Sequence, residues 1–315
     1  MCLSDMDKVN GCIHANLQSD IMMIPAIGHY IVNCGGKRLR PLLCLLSARL
    51  FDYQGGRHIP LSVVVEFIHT ASLLHDDVVD SSDQRRGAPS ANGVWGNQAS
   101  VLVGDYLFSR SFQMMVSDGD IAMLKLMSDV TNALAEGEVL QLSRTFHLDM
   151  TEEECLEVIE RKTAVLFKAA AEVGAHIAEQ DESVVSDMAE YGMCLGVAFQ
   201  LMDDALDYLA EAEDAGKPVG HDLEEGKITL PLIYAMRFDA ELKQRVSRIA
   251  DRGCYEDGDR EWVREHVAAQ DGADYAMGQA SHYANRAKTL LPTGSDAEVH
   301  QLLAELADFS ARRSC

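Results

Sequence analysis

Two copies of one acidic pattern, far apart in the chain, constrain what it can fold into more than any other feature. Asp76-Asp77-Val78-Val79-Asp80 lies in LLHDDVVDSSDQRRG, and Asp203-Asp204-Ala205-Leu206-Asp207 lies in FQLMDDALDY. Both contexts are apolar and helix-compatible, so the first and last carboxylates of each copy are four residues apart and share one helical face. A single copy would read as a solvated acidic turn. Two copies, preceded by Leu73 and Leu74 in one case and by Phe199, Leu201 and Met202 in the other, read instead as oxygen ligands for hard divalent cations. Mg²⁺ shared with a phosphate-bearing substrate fits that chemistry best.

At 315 residues and 47% hydrophobic content the chain can bury a large core. A formal charge of −23, from 27 basic and 50 acidic residues, argues against a broad nucleic-acid or anionic-membrane surface, so any phosphate must meet a local basic cluster. The eight cysteines (Cys2, Cys12, Cys34, Cys44, Cys155, Cys194, Cys254 and Cys315) include no CxxC pair, which fits reduced thiols rather than a disulfide framework or zinc site. The start MCLSDMDKVN lacks a basic-then-apolar pattern, no apolar run reaches the roughly 18 residues of a membrane span, and Cys315 is last rather than fourth from last, so no prenylation box is present. These features predict a soluble cytoplasmic protein.

The apolar spacing follows steps of three and four, which predicts helices over 37–50, 61–80, 97–116, 120–147, 152–179, 184–211 and 228–238. Breaks are expected at Gly55-Gly56, across Gly87–Gly96, at Asp118-Gly119, at Thr151 as an N-cap with Glu154 three later, and at Gly216-Lys217-Pro218. Region 240–300 is more polar and is expected to hold shorter peripheral helices. With so little internal punctuation, the expectation is an all-α chain, 1–315, forming one large helical bundle around a central cavity.

Basic residues cluster beside the acids. Gly35-Gly36-Lys37-Arg38-Leu39-Arg40-Pro41 places three cations in four positions at a helix start, where backbone N–H groups and fixed cations favour a phosphate; a basic surface turn is the plain alternative. Arg85-Arg86-Gly87 follows the first acidic motif, and Lys217 and Lys227 follow the second in GKPVGHDLEEGKITLP. Lys162-Thr163 sets an amine beside a hydroxyl. His69 lies seven residues before Asp76, on the same face; alone it would read as a core histidine, but its neighbours point to ligand contact. Together these groups suit a diphosphate ester with an apolar tail, whose departure as diphosphate is assisted while a carbocation is guarded from water. No nucleophile–base pair for covalent catalysis stands out.

The run EFIHTASLLHDDVVDSSDQRRG, the GGKRLRP segment, the KT pair, FQLMDDALDY and GKPVGHDLEEGKITLPL resemble the all-trans isoprenyl (polyprenyl) diphosphate synthases, in the family's order, from about Gly35 to Tyr234. SVLVGDYLFSRSFQMM and AEGEVLQL are most similar to the long-chain bacterial octaprenyl and decaprenyl type that supplies quinone side chains. Cys34 and His221 depart from the residues commonest there. The resemblance implies an isoprenoid-synthase fold, usually homodimeric, that condenses isopentenyl diphosphate onto an allylic diphosphate such as farnesyl diphosphate by ionisation, condensation and elimination, the proton leaving to the departing diphosphate.

Carried over, the resemblance implies that Asp76, Asp80 and Asp203 hold Mg²⁺, three ions with substrate bound, with Asp77, Asp204 and Asp207 as ligands or in support. Isopentenyl diphosphate would meet Lys37, Arg40, His69 and Arg86, with Gly36 allowing close backbone approach. The allylic diphosphate would meet Arg85, Lys162, Thr163, Gln200, Lys217 and Lys227, the Thr163 and Gln200 oxygens also favouring the allylic cation. Ala71 and Ser72, five and four residues before Asp76, fall roughly 6–7.5 Å below the metal site. Both are small, where short-chain relatives carry bulky aromatics as a floor, so the tunnel stays open; tight helix packing is the alternative. Met123 and Met127 are candidate deeper stops, although methionine stripes are usually core filler.

Three other readings compete. A class I terpene cyclase lacks a second DDxxD and any need for an isopentenyl site. A non-catalytic partner subunit tends to lose aspartates, which are intact here. A shorter-chain geranylgeranyl or farnesyl diphosphate synthase differs only in the tunnel.

Overall fold

The computed structural model describes residues 2–209, 220–292 and 296–312. Their regular structure is almost wholly helical: α1 (Cys2–Asn16), α2 (Met23–Asn33), α3 (Leu39–Leu50), α4 (His58–Val79), α5 (Ala91–Trp95), α6 (Asn97–Asp118), α7 (Ile121–Ser143), α8 (Glu152–Ile159), α9 (Val165–Ile177), α10 (Glu182–Leu209), α11 (His221–Glu224), α12 (Leu230–Met236), α13 (Ala240–Arg252), α14 (Asp259–Ala269), α15 (Gly272–Leu290) and α16 (Ala297–Ala311). The sheet among them is one two-stranded hairpin, β1 (Gln84–Arg85) with β2 (Ala88–Pro89). The all-α expectation therefore holds, and among the described residues no helix is long and apolar enough to cross a membrane.

Contacts group the chain into two compact units. The first takes residues 1–131, 166–192 and 291–303; the second takes 132–165, 193–290 and 304–315. In the first, Val63, Phe67, Ala71 and Leu74 recur at steps of three and four along α4 and bury against Val103 and Leu107 of α6, Val9 and Ile13 of α1, and Leu17 just beyond it. Each such aliphatic or aromatic side chain removed from water contributes about 1.5–3 kcal/mol before chain entropy is charged.

In the second unit, Leu242, Val246 and Ile249 of α13, Val263 and Val267 of α14, and Ala276, Ala280 and Ala284 of α15 join Leu230, Leu232 and Ile233 of α12 in a single apolar cluster. This corrects the expectation of short peripheral helices over 240–300. The α15 stripe is alanine, which adds little hydropathy but lets helices approach closely, so the segment reads as polar while packing as core.

Two other differences have local causes. Helix α7 stops at Ser143 rather than near 147, because Phe146 turns left-handed (φ 54°) and gives its N–H to the Gly226 carbonyl. The expected helix over 152–179 is interrupted by a π-helical turn, Glu160–Ala164, whose wide loop closes with the Val165 N–H on the Glu160 carbonyl. Its N-terminus is as expected: Thr151 accepts from the Glu154 N–H while the Glu154 carboxylate accepts from Thr151, a reciprocal capping box. The break expected at Gly216-Lys217-Pro218 lies outside the described residues.

Candidate active site

In the first unit the acidic motif closes α4. Four-residue spacing leaves Asp76 and Asp80 half-buried on one face, and Asp77, a helical step of 100° away, is turned fully inward. Arg85 meets it there: Nη2 donates to Asp77 Oδ1 at 2.6 Å, and Nε donates to Oδ2 at 2.8 Å. The hairpin makes this possible. Its two-residue turn is Arg86-Gly87, both with positive φ (54° and 75°), the mirror-image turn that matches strand twist and favours glycine second. Arg85 thus faces back to the motif while the Arg86 guanidinium donates to the Gly35 carbonyl. Gly36 has a φ of 137°, which side chains rarely adopt, and a Cβ there would also force that guanidinium aside.

Beside these residues Arg38 and Arg40 take different roles. Arg38 begins α3 with a left-handed backbone, and its side chain donates to Glu66 at 3.1 Å and to the Val32 carbonyl at 3.2 Å. Arg40 Nη1 donates to His69 Nε2 at 3.1 Å, and its guanidinium lies 4.3 Å from the centre of the Phe167 ring. Because arginine only donates, Nε2 of His69 must be the accepting nitrogen. Burial, with Arg40 and Arg86 close by, pushes the His69 pKa well down, so the ring is neutral. Lys37 precedes the helix in the same loop. Sequence reasoning missed Phe167 and Glu66, whose contacts with this cluster come from other helices and leave no local pattern.

Of the chain-length candidates, Ala71 is fully buried in the α4 cluster. Ser72 is half-buried, with its hydroxyl donating to the His69 carbonyl at 2.8 Å. Met123 and Met127 are fully buried on α7.

The second unit repeats the inward-middle arrangement. Asp203 and Asp207 are half-buried and Asp204 is buried. Gln200 Nε2 donates to Asp204 Oδ1 at 2.8 Å, one turn back on α10, which leaves Gln200 Oε1 to accept from the Thr163 hydroxyl at 2.9 Å. Lys162, next to Thr163 on the π turn, donates to Glu138 Oε2 at 2.6 Å and to Gln141 Oε1 at 2.7 Å. Asp207 accepts the N–H groups of His221 and Asp222, both at 3.1 Å, and so ties down the turn that precedes Lys227. Lys227 pairs with Glu225, whose carboxyl burial would raise but His221 and Lys227 hold at about 2. Lys162, Thr163, Gln200, Asp204, Asp222 and Lys227 line a cavity of about 120 Å³ floored by Val158, Ile159 and Ile228. Lys217 lies outside the described residues.

The electrostatics of this unit suit a divalent cation. Burial, together with Asp203 and Asp207 and against the Gln200 hydrogen bond, lifts the Asp204 pKa to about 7. Burial and then Asp207 and Asp204 push Asp222 well above the carboxylate range. Carboxylates driven toward protonation by one another are relieved by a hard cation. Among the described residues no three His, Cys, Asp or Glu side chains form a complete cage. Glu138, Gln141 and Asp222 were missed from sequence; the visible signal was Glu138 and Gln141, three apart and so on one face of the predicted helix.

Three comparisons bear on this geometry. The polyprenyl synthetase family profile matches residues 22–267. An octaprenyl diphosphate synthase of Escherichia coli (strain K12) is 44% identical over 313 residues, 98% of this chain and 96% of the relative. Among solved structures, a polyprenyl synthase from Caulobacter crescentus CB15, complexed with calcium and isoprenyl diphosphate, superposes with a TM-score of 0.94 at 42% identity, covering 98% of this chain and 95% of the other. A decaprenyl diphosphate synthase from Rhodobacter capsulatus gives a TM-score of 0.92 at 41% identity, covering 98% and 96%.

Proposed function

This chain belongs to the polyprenyl synthetase family, and from that premise we propose residue roles for the reaction that its relatives carry in their names. It is a long-chain all-trans polyprenyl diphosphate synthase, a prenyltransferase that uses isopentenyl and allylic diphosphates and a divalent metal. The observation that carries the proposed roles is the pair of motifs whose outer aspartates share a helical face beside fixed cations.

The metal is assigned as Mg²⁺, three ions with substrate bound, and Asp76, Asp80 and Asp203 are the residues that would hold them. When bound, it supplies the charge that makes the allylic diphosphate a leaving group. Lys37, Arg40, His69 and Arg86 bind isopentenyl diphosphate. Arg85, Lys162, Lys217 and Lys227 neutralise the allylic diphosphate, and the Thr163 and Gln200 oxygens favour the allylic cation as it develops. Asp77, Asp204 and Asp207 hold Arg85, Gln200 and the 220–222 turn in place. The isopentenyl double bond attacks the cation, and the proton then leaves to the departing diphosphate, so no protein base is required. Each cycle adds one five-carbon unit.

We further assign residues 1–315 to one synthase domain that works in the cytoplasm as a homodimer, delivers an octaprenyl to decaprenyl product to the membrane and serves quinone side-chain synthesis. Turnover of isopentenyl diphosphate with farnesyl diphosphate by the purified protein, with and without Mg²⁺, tests this reading.

A further inference from the structure

Gly137 stands in the interior of α7, a position where glycine is the least favourable residue after proline and therefore has a reason to be kept. The reason is contact with the π turn. A Cβ at Gly137 would lie 2.8 Å from the Lys162 backbone nitrogen and 2.9 Å from both the carbonyl carbon and the Cβ of Arg161. Most of these are main-chain atoms that cannot rotate aside, so a methyl group there must push the turn away by roughly 0.5–1 Å to reach ordinary van der Waals distance. The next residue, Glu138, and Gln141 one turn on hold the Lys162 ammonium at 2.6 and 2.7 Å. One short stretch of α7 therefore fixes both the backbone and the amine of Lys162, and the adjacent Thr163 hydroxyl is aimed at Gln200 by the same turn.

We propose that Gly137 and Glu138 are positioning residues for the Lys162–Thr163 pair, Gly137 by seating the π turn against α7 and Glu138 by orienting the ammonium. This rests on the reading of Lys162 and Thr163 as allylic-diphosphate residues. Two of the three Lys162 donors are used by α7, which leaves the third for a phosphate oxygen at the cavity. A displacement of about 1 Å at such a group is enough to cost up to a hundredfold in rate.

The test is a double-mutant cycle of Gly137→Ala with Lys162→Ala, read by kcat, by KM for each substrate, and by the affinity for farnesyl thiolodiphosphate in calorimetry. Gly137→Ala is expected to lower kcat at least tenfold and weaken thiolodiphosphate binding, with KM for isopentenyl diphosphate within about twofold, and to add nothing once Lys162 is alanine. Unchanged kinetics in Gly137→Ala, or effects that multiply fully with Lys162→Ala, would overturn the inference. Unimpaired Lys162→Ala would overturn the catalytic reading of Lys162 and the inference with it. Glu138→Ala, which leaves the packing at Gly137 intact, gives a second route: its kcat should fall and Glu138→Gln should restore most of it, whereas wild-type kcat in Glu138→Ala contradicts the proposal even if Gly137→Ala does not fold.

Discussion

Arg85 holds both oxygens of Asp77, the middle carboxylate of the first acidic motif, and Asp77 is fully enclosed in doing so. The pair has a structural consequence separate from catalysis. Removing one partner of an enclosed, fork-bonded ion pair strands the other, which costs about 3–5 kcal/mol. Arg85→Ala should therefore shift the urea midpoint strongly downward, and Arg85→Lys should recover little, because a lysine cannot reproduce the two-pronged contact. An unchanged midpoint in Arg85→Ala would show that the pair contributes nothing to the fold.

The outer aspartates should behave in the opposite way. Asp76→Ala and Asp203→Ala each remove a half-buried carboxylate from an acidic group, which relieves repulsion in the metal-free protein. Turnover should fall by orders of magnitude, with circular dichroism and the thermal midpoint nearly unchanged. Full activity in either variant would remove that aspartate from the reaction.

The Arg40–His69 contact carries a pH signature. The pKa of His69 lies well below its usual value, so the unfolded chain binds more protons than the folded one between that depressed value and about 6.5. The stability this group contributes is complete above about pH 6.5 and is lost as pH falls toward the folded-state pKa. Acidification from pH 7 to pH 5 should thus destabilise the wild type more than His69→Gln, by up to about 1.4 kcal/mol per pH unit. Arg40→Ala should raise KM for isopentenyl diphosphate far more than KM for the allylic primer. Parallel acid sensitivity of wild type and His69→Gln, or equal KM effects, would contradict the assignment.

The proposed ruler separates Ala71 from Ser72. Ala71 is packed on all sides in the α4 cluster, so Ala71→Phe should cost about 1–3 kcal/mol by overpacking whatever it does to the product. Ser72 is half-buried, and Ser72→Phe should shorten the main product toward three or four units with a smaller loss of stability. A normal long product from both variants, alongside a lowered thermal midpoint, would take these two residues out of the tunnel.

What the sequence made legible is what depends on local spacing. The four-residue separation of the outer aspartates, the Thr151–Glu154 capping box and the glycine beside Lys37 all follow from backbone geometry within one or two turns. The inward turn of Asp77 and Asp204 follows from the same helical step, as does the place of Gln200 one turn before Asp204, but the other partners do not: Arg85 reaches Asp77 through a hairpin, and Thr163 reaches Gln200 from the π turn. The π turn carries no sequence mark, since Glu160–Ala164 is ordinary helix-forming composition, and the alanine stripe of α15 hides its burial behind low hydropathy.

The most direct test of the central claim is the mass of the product. Purified protein incubated with Mg²⁺, isopentenyl diphosphate and farnesyl diphosphate, followed by dephosphorylation and mass spectrometry, should yield all-trans polyprenols of eight to ten units, and none without a divalent cation. Absence of condensation, or products that stop at four units or fewer, would contradict it.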